Sequence, residues 1–288
     1  MSALCFRASA STAIVFAVLT FAGPLQSAEE QKKSEEPTTL RELIDAAIDD
    51  VQIFADAETT TPARPRVALR WANNARGSED GTTVLYIHEG RPLAVACIYP
   101  WERQLPRDFC VLARVPIVAR YGGAVVWQPQ RTEVKLADIP DAPPPEQSAT
   151  QRLRQMKSLA EQFGSTMLGW RADDSDREEL RLLPRPLYRY ETERYRASGG
   201  DVLDGAVFAF VMGTDPESLL LIEATKAGDA TKWQYAFVRR TSGELEGRHR
   251  GQVVWHADRF PATRDAQGPN FAVVSLIPPE LAPAGGKP

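Results

Sequence analysis

The sequence predicts an α+β fold that is mainly antiparallel β. Short runs of alternating apolar and polar residues, divided by turn residues, fill 67–135 and 187–277. An amphipathic helical pattern precedes each run. The two runs also resemble one another in order and spacing. Together these features predict two copies of a helix followed by a roughly five-stranded meander, side by side or merged into one large sheet or half-barrel.

The order begins with an export signal at 1–28. Arg7 is its only charged side chain, Ala8 to Gly23 is uncharged, and Gly23-Pro24 ends the apolar stretch before Gln26-Ser27-Ala28. An uncleaved anchor is the competing reading, but the apolar run is shorter than the roughly 20 residues a bilayer requires. Residues 29–38 read as a flexible lead-in. The first unit spans 39–138 and opens on Thr39 and Glu42, spaced as a capping box. Leu40, Leu43, Ile44, Ala47, Ile48 and Val51 then recur at helical spacing, which predicts a helix to about Ala55. Thr82–His88 and Arg91–Tyr99 flank Glu89-Gly90, a hairpin turn. Two further strands are expected, one ending at Arg114 and one holding Ala124–Trp127.

Ile139-Pro140-Asp141-Ala142-Pro143-Pro144-Pro145 reads as a stiff linker within 139–149. The second unit, 150–277, begins with a helix whose stripe is Leu153, Met156, Leu159, Ala160 and Phe163. In Asp173–Leu183, Ser175 and Glu178 fit a capping box while Leu180–Leu183 fit a strand. Strands are expected at Leu187–Tyr190, Ala206–Met212, Leu219–Thr225, Trp233–Arg240, Gln252–Trp255 and Phe271–Ile277. Residues 278–288 read as a disordered tail. The internal repeat rests on Leu69-Arg70-Trp71, Gly81 and Gly123-Ala124-Val125-Val126-Trp127 in the first half. Their counterparts are Tyr188-Arg189-Tyr190, Gly205 and Gly251-Gln252-Val253-Val254-Trp255.

The chain carries 34 Lys and Arg against 38 Asp and Glu, and loss of Arg7 with the signal leaves 33 against 38. No basic stripe exists, which argues against a nucleic-acid partner. No second long apolar run exists, so no membrane span is expected after signal cleavage. Of three cysteines, Cys97 and Cys110 would remain. With a loop from Pro100 to Arg107, Tyr99 faces Asp108 and Cys97 faces Cys110, which suggests a structural disulfide. Two buried free thiols are the alternative.

No catalytic, metal or cofactor motif emerges. His88, His249 and His256 lack metal-ligand spacing and read as solvated strand ends. Gly213-Thr214-Asp215-Pro216-Glu217-Ser218 reads as turn chemistry. Trp71, Tyr99, Trp101, Trp127, Trp233 and Trp255 lie in or beside strands, where they read as a sheet core, with a stacking platform for sugars or a lining for an apolar ligand as the sharper alternative. Trp101, in a polar loop, is the one expected to be exposed. The run Leu182-Leu183-Pro184-Arg185-Pro186-Leu187-Tyr188-Arg189-Tyr190-Glu191, followed by Asp204-Gly205-Ala206 and Gly213–Glu217, resembles a family of uncharacterised exported bacterial proteins. That resemblance implies no activity and no site residues. In outline the chain is also similar to periplasmic lipoprotein carriers. The expected function is a non-catalytic binding or structural protein of the cell envelope, in the periplasm or outside the cell. Its partner would be an unknown envelope component or a small apolar or sugar ligand, with no cofactor. A carrier of a lipid or other apolar ligand and a hydrolase of an extracellular polymer are the alternatives.

Overall fold

Thr39 caps the first helix as its spacing with Glu42 requires. Its hydroxyl accepts from the Glu42 amide, and the Glu42 carboxylate accepts from the Thr39 amide. The computed structural model describes residues 39–73, 78–114, 116–169, 176–193, 201–227, 230–259 and 265–282. The expected export signal at 1–28, the expected lead-in at 29–38, and Asp173-Asp174-Ser175 lie outside the described residues.

Helix α1 covers Leu40–Ala46, then β1 (Val51–Phe54), β2 (Arg64–Asn73), β3 (Ser78–His88), β4 (Arg91–Ile98), β5 (Gln104–Val111), β6 (Val118–Tyr121), β7 (Ala124–Trp127) and β8 (Ala137–Asp138). Helix α2 (Ala149–Ala160) follows, then β9 (Phe163–Leu168), β10 (Arg177–Leu182), β11 (Tyr188–Arg189), β12 (Val202–Met212), β13 (Asp215–Ala227), β14 (Ala230–Arg239), β15 (Glu244–His249), β16 (Gln252–Ala257) and β17 (Asn270–Leu276). The mainly antiparallel β expectation holds. Helix α1, however, is shorter than its periodicity suggests. Val51 and Ile53 are buried while Gln52 between them is exposed, so the same apolar spacing is used as a strand. Strands β9 and β15 are additions that the sequence patterns did not reveal.

Three sheets form. The orders are β1-β6-β7, β17-β5-β4-β3-β2, and β16-β15-β9-β10-β12-β13-β14-β8 with β11 also on β12. All their pairings are antiparallel, and the nine-stranded sheet curls as a half-barrel. Residues 37–288 group as one unit, with no break at the proline-rich stretch. Immediately before that stretch β8 pairs with β14, and the Ile139 amide donates to the Trp233 carbonyl.

Period-two alternation explains the layers. On β3 and β4, Val84, Tyr86, Ala94 and Ala96 share a core with Ile44 of α1 and with Ala47 and Ile48 just after it. On β12 and β13, Phe208, Phe210, Leu220 and Ile222 face α2 through Met156 and Leu159. The alternate residues Leu85, Ile87, Val95, Val207, Ala209, Leu219 and Leu221 meet in a third core between the two sheets. The central strands are therefore covered on both faces, which is why their sequences read as nearly unbroken apolar runs. Leu281 and Ala282, within the segment expected to be disordered, pack against the first core beside a 3-10 turn at Pro279–Leu281.

The two hairpin tips reach across this seam. Gly90, in the β3–β4 turn, accepts from the Glu191 amide and the Tyr188 hydroxyl. Thr214, in the β12–β13 turn, exchanges bonds with Ala72. Beside the first tip, Arg91 Nη2 donates to Glu223 Oε1 at 2.5 Å, and the Tyr190 hydroxyl donates to the same oxygen at 3.0 Å. Glu223 is fully buried. Removing its cation strands a buried charge, so Arg91→Ala should cost about 3–5 kcal/mol in urea unfolding, with Arg91→Met/Glu223→Leu recovering most of it.

Candidate functional site

Directly opposed residues of an antiparallel pair share one face. On the face of β4, β5 and β17 that looks toward the second sheet, this rule stacks four rows. The deepest is Val95–Cys110–Asn270, followed by Cys97–Asp108–Ala272, then Tyr99–Pro106–Val274, and finally Trp101–Gln104–Leu276. All of these except Val95 and Leu276 line a pocket of about 440 Å³. That volume lies within the range of small-molecule sites. From the other side the pocket is closed by Asp215, Pro216 and Glu217 at the start of β13, and by Arg240, Thr241 and Ser242 after β14.

The same register corrects the disulfide expectation. The β4–β5 hairpin does not end in a long loop; Trp101 pairs with Gln104 across Glu102-Arg103, with Glu102 at φ +54. Tightening the turn shifts every pair by two. Cys97 thus faces Asp108, Cys110 faces Val95, and both cysteines are free buried thiols. They lie on one face as diagonal neighbours, and one guanidinium sits against them.

That guanidinium belongs to Arg240. Its Nη1 donates to Cys110 Sγ at 2.8 Å, and its Nη2 to the Asp108 carbonyl at 3.0 Å. Its Nε has no partner, although the residue is only 7% exposed. The buried Arg91 and Arg107 and the half-buried Arg152 are matched to acids, Glu223, Asp50 and Asp204 respectively, while the buried Arg239 donates to the carbonyls of Gly243, Ala257 and Asp258. Arg240 makes no carboxylate salt bridge among the described residues. The Asp108 carboxylate accepts instead from the Tyr99 hydroxyl at 2.7 Å. Burial pushes the Asp108 carboxyl above the ordinary carboxylate range, against the opposing pull of Tyr99 and Arg240. Burial likewise raises both thiols, Cys110 to about 11. A raised thiol disfavours the thiolate, which is the nucleophilic form.

Aromatic rings form the remaining wall. The Trp71 ring lies over Gly81, where a Cβ would sit 2.3 Å from it, and reaches Tyr99 with centroids 5.9 Å apart. Trp71 Nε1 is satisfied by the Thr83 hydroxyl. Trp101 stands at the mouth and is 49% exposed, as its polar loop suggested. Trp127 and Trp233 are buried in the cores facing α1 and α2, and Trp255 packs against the latter.

Sequence patterns therefore located the aromatics but missed the polar groups. Asp215 and Glu217 read as turn residues, and they do begin a strand after a turn while also lining the pocket. Arg240 carried no signal in the sequence, and both it and its neighbour Arg239 are buried. The histidines are not brought together. His249 is buried against Phe163 with centroids 4.6 Å apart, contrary to the solvated reading, and burial lowers its pKa. His256 is exposed beside Asp258, and His88 is half-buried at the end of β3.

Among the described residues, no helix is long and apolar enough to cross a membrane, and no three His, Cys, Asp or Glu side chains converge as metal ligands. No family model, curated protein or solved structure matches the chain.

Two measurements follow from these environments. In the native protein at pH 8, iodoacetamide should leave Cys97 and Cys110 unmodified over times that fully label the urea-unfolded chain; intact mass should then show both carbamidomethylated, which a disulfide would prevent. The second concerns Asp108. A carboxyl raised in the folded state supports folding at acid pH and loses that contribution as pH rises through its native value. Asp108→Asn should therefore gain stability over wild type between pH 3 and pH 7, as read by denaturant midpoints across that range.

Proposed function

We propose that this is an exported, non-catalytic binding protein whose pocket takes a small sugar ring. The observation that carries the reading is the pairing of an aromatic wall with a floor that needs both donors and acceptors. Arg240 lines the pocket and makes no carboxylate salt bridge among the described residues, while the acid groups of Asp108, Asp215 and Glu217 accept from donors. The half-buried ring of Tyr99 and the exposed ring of Trp101 offer apolar faces, with the buried Trp71 packed beside Tyr99. A pyranose offers hydroxyls that both donate and accept, together with a C–H face. An apolar ligand would desolvate the ionisable groups without offering them hydrogen bonds, which disfavours the carrier alternative. The export signal and the resemblance to exported bacterial proteins support a place of action outside the cytoplasm.

Duplication belongs to the same proposal. In its favour, β1-β6-β7 and β9-β15-β16 are joined in like order around their respective helices. So are β17-β5-β4-β3-β2 and β8-β14-β13-β12-β11, where the last strand of each half lies on the sheet of the other. Trp71 over Gly81 has a counterpart in Tyr190 over Gly205. Under this correspondence the counterpart of the pocket is closed, because Arg91, Glu223 and Tyr190 fill it with a buried salt bridge. The open place in the first half is then a retained site rather than a packing defect.

Titration calorimetry with a panel of glucose, galactose, mannose, xylose and N-acetylglucosamine tests the sugar reading. At least one should bind, and Asp108→Asn should weaken it about 10-fold or more, the size expected for a hydrogen bond to a charged group. Silence across the panel and its oligomers would sink the reading. A hydrolase remains the second reading, favoured by the raised Asp108 carboxyl among two further acids. It requires release of new reducing ends from an oligosaccharide, lost in Asp108→Asn.

A further inference from the structure

The pocket floor and its mouth differ in kind. Floor rows carry Cys110, Asn270, Cys97 and Asp108, all close to the buried Arg240. The outer rows carry Tyr99, Pro106, Val274, Trp101, Gln104 and Leu276. Successive rows are two residues apart, so each step is about 6.8 Å and the four rows span about 20 Å. A six-membered ring built from bonds of about 1.5 Å is shorter than one step. The single ring placed against Trp71 and Tyr99 therefore leaves the outermost row uncovered. In that row Trp101 is 49% exposed and Leu276 is 77% exposed, while Gln104 lies between them and lines the same pocket. Trp101 is set at the tip of a two-residue turn, with its backbone bonded both ways to Gln104. That bonding fixes the direction in which its side chain leaves the backbone. Exposed apolar side chains in continuity with a polar-floored pocket mark an extension of the binding surface.

Resting on the sugar reading, we infer that the Trp101–Gln104–Leu276 row is a second subsite, and that the ligand is an oligosaccharide entering the pocket by one end. The terminal ring lies against Trp71 and Tyr99 over the polar floor. The following rings run outward along the sheet face, with one ring stacked on Trp101 and a hydroxyl within reach of the Gln104 amide. Trp101 makes no contact with the inner ring, so it sets the preference for chain length and leaves the identity of the end ring to the floor.

The test is calorimetry on cello-, chito- and xylo-oligosaccharides of one to four residues with wild type, Trp101→Ala and Leu276→Ser. Affinity of the wild type should rise from one residue to three by about 10-fold, the scale of one aromatic stacking contact. Trp101→Ala should abolish that rise while leaving the single-residue affinity within about 2-fold, and Leu276→Ser should reduce the rise in part. Three outcomes count against the inference. If single residues bind as tightly as tetramers, or if Trp101→Ala weakens every length equally, the second subsite is wrong while the sugar pocket stands. If no member of any series binds, the pocket reading fails and takes the subsite with it. Circular dichroism of each variant confirms that the exposed substitutions leave the fold intact.

Discussion

The central strands of the two sheets press against one another, and the rest of the architecture answers to that seam. Leu85, Ile87 and Val95 on one side meet Val207, Ala209, Leu219 and Leu221 on the other. Because the same strands carry a helix on their far faces, any polar group that enters must be satisfied inside the protein. Arg91, Glu223 and Tyr190 do this through a buried salt bridge and a hydrogen bond to the same carboxylate oxygen. Near the other hairpin tip the accounting is left incomplete, and a pocket remains. One seam thus holds both a sealed polar cluster and an open one.

The open cluster is unusual in what surrounds its cation. A guanidinium among neutral thiols and a backbone carbonyl keeps its charge but has few acceptors of its own. Asp108 lies close, yet burial and the Tyr99 hydroxyl draw its carboxyl into a separate bond. The floor is therefore able to donate and accept over a short distance, next to ring faces that can do neither. This mixture underlies the proposal of a sugar ring as its occupant.

Much of the fold was legible because its signals are local. Thr39 with Glu42 marked a helix start, Glu89-Gly90 marked a hairpin, and Trp233-Gln-Tyr235-Ala-Phe237 put three rings on one face. Local patterns failed where the competing states share a period. Val51 and Ile53 suit a helix stripe or a strand equally, and tertiary pairing with β6 decided for the strand. The site was harder still. Its groups come from β2, β4, β5, β13, β17 and the turn after β14, so no spacing along the chain joins them. The disulfide expectation shows how narrow the margin is: a turn shorter than assumed moved each cysteine opposite a different neighbour.

Consider finally the order in which the chain becomes available. Strand β5 at Gln104–Val111 finds its outer neighbour only in β17 at Asn270–Leu276, about 160 residues later. Meanwhile β8, from the first half, waits for β14. Each sheet therefore borrows an edge from the far half of the sequence, and neither half can complete its own pairing. Such long-range closure slows folding, since loop entropy is lost before the contacts that offset it are made. An emerging chain would stay open along both edges until nearly its last segment has been delivered, and the molecule would then lock as a whole.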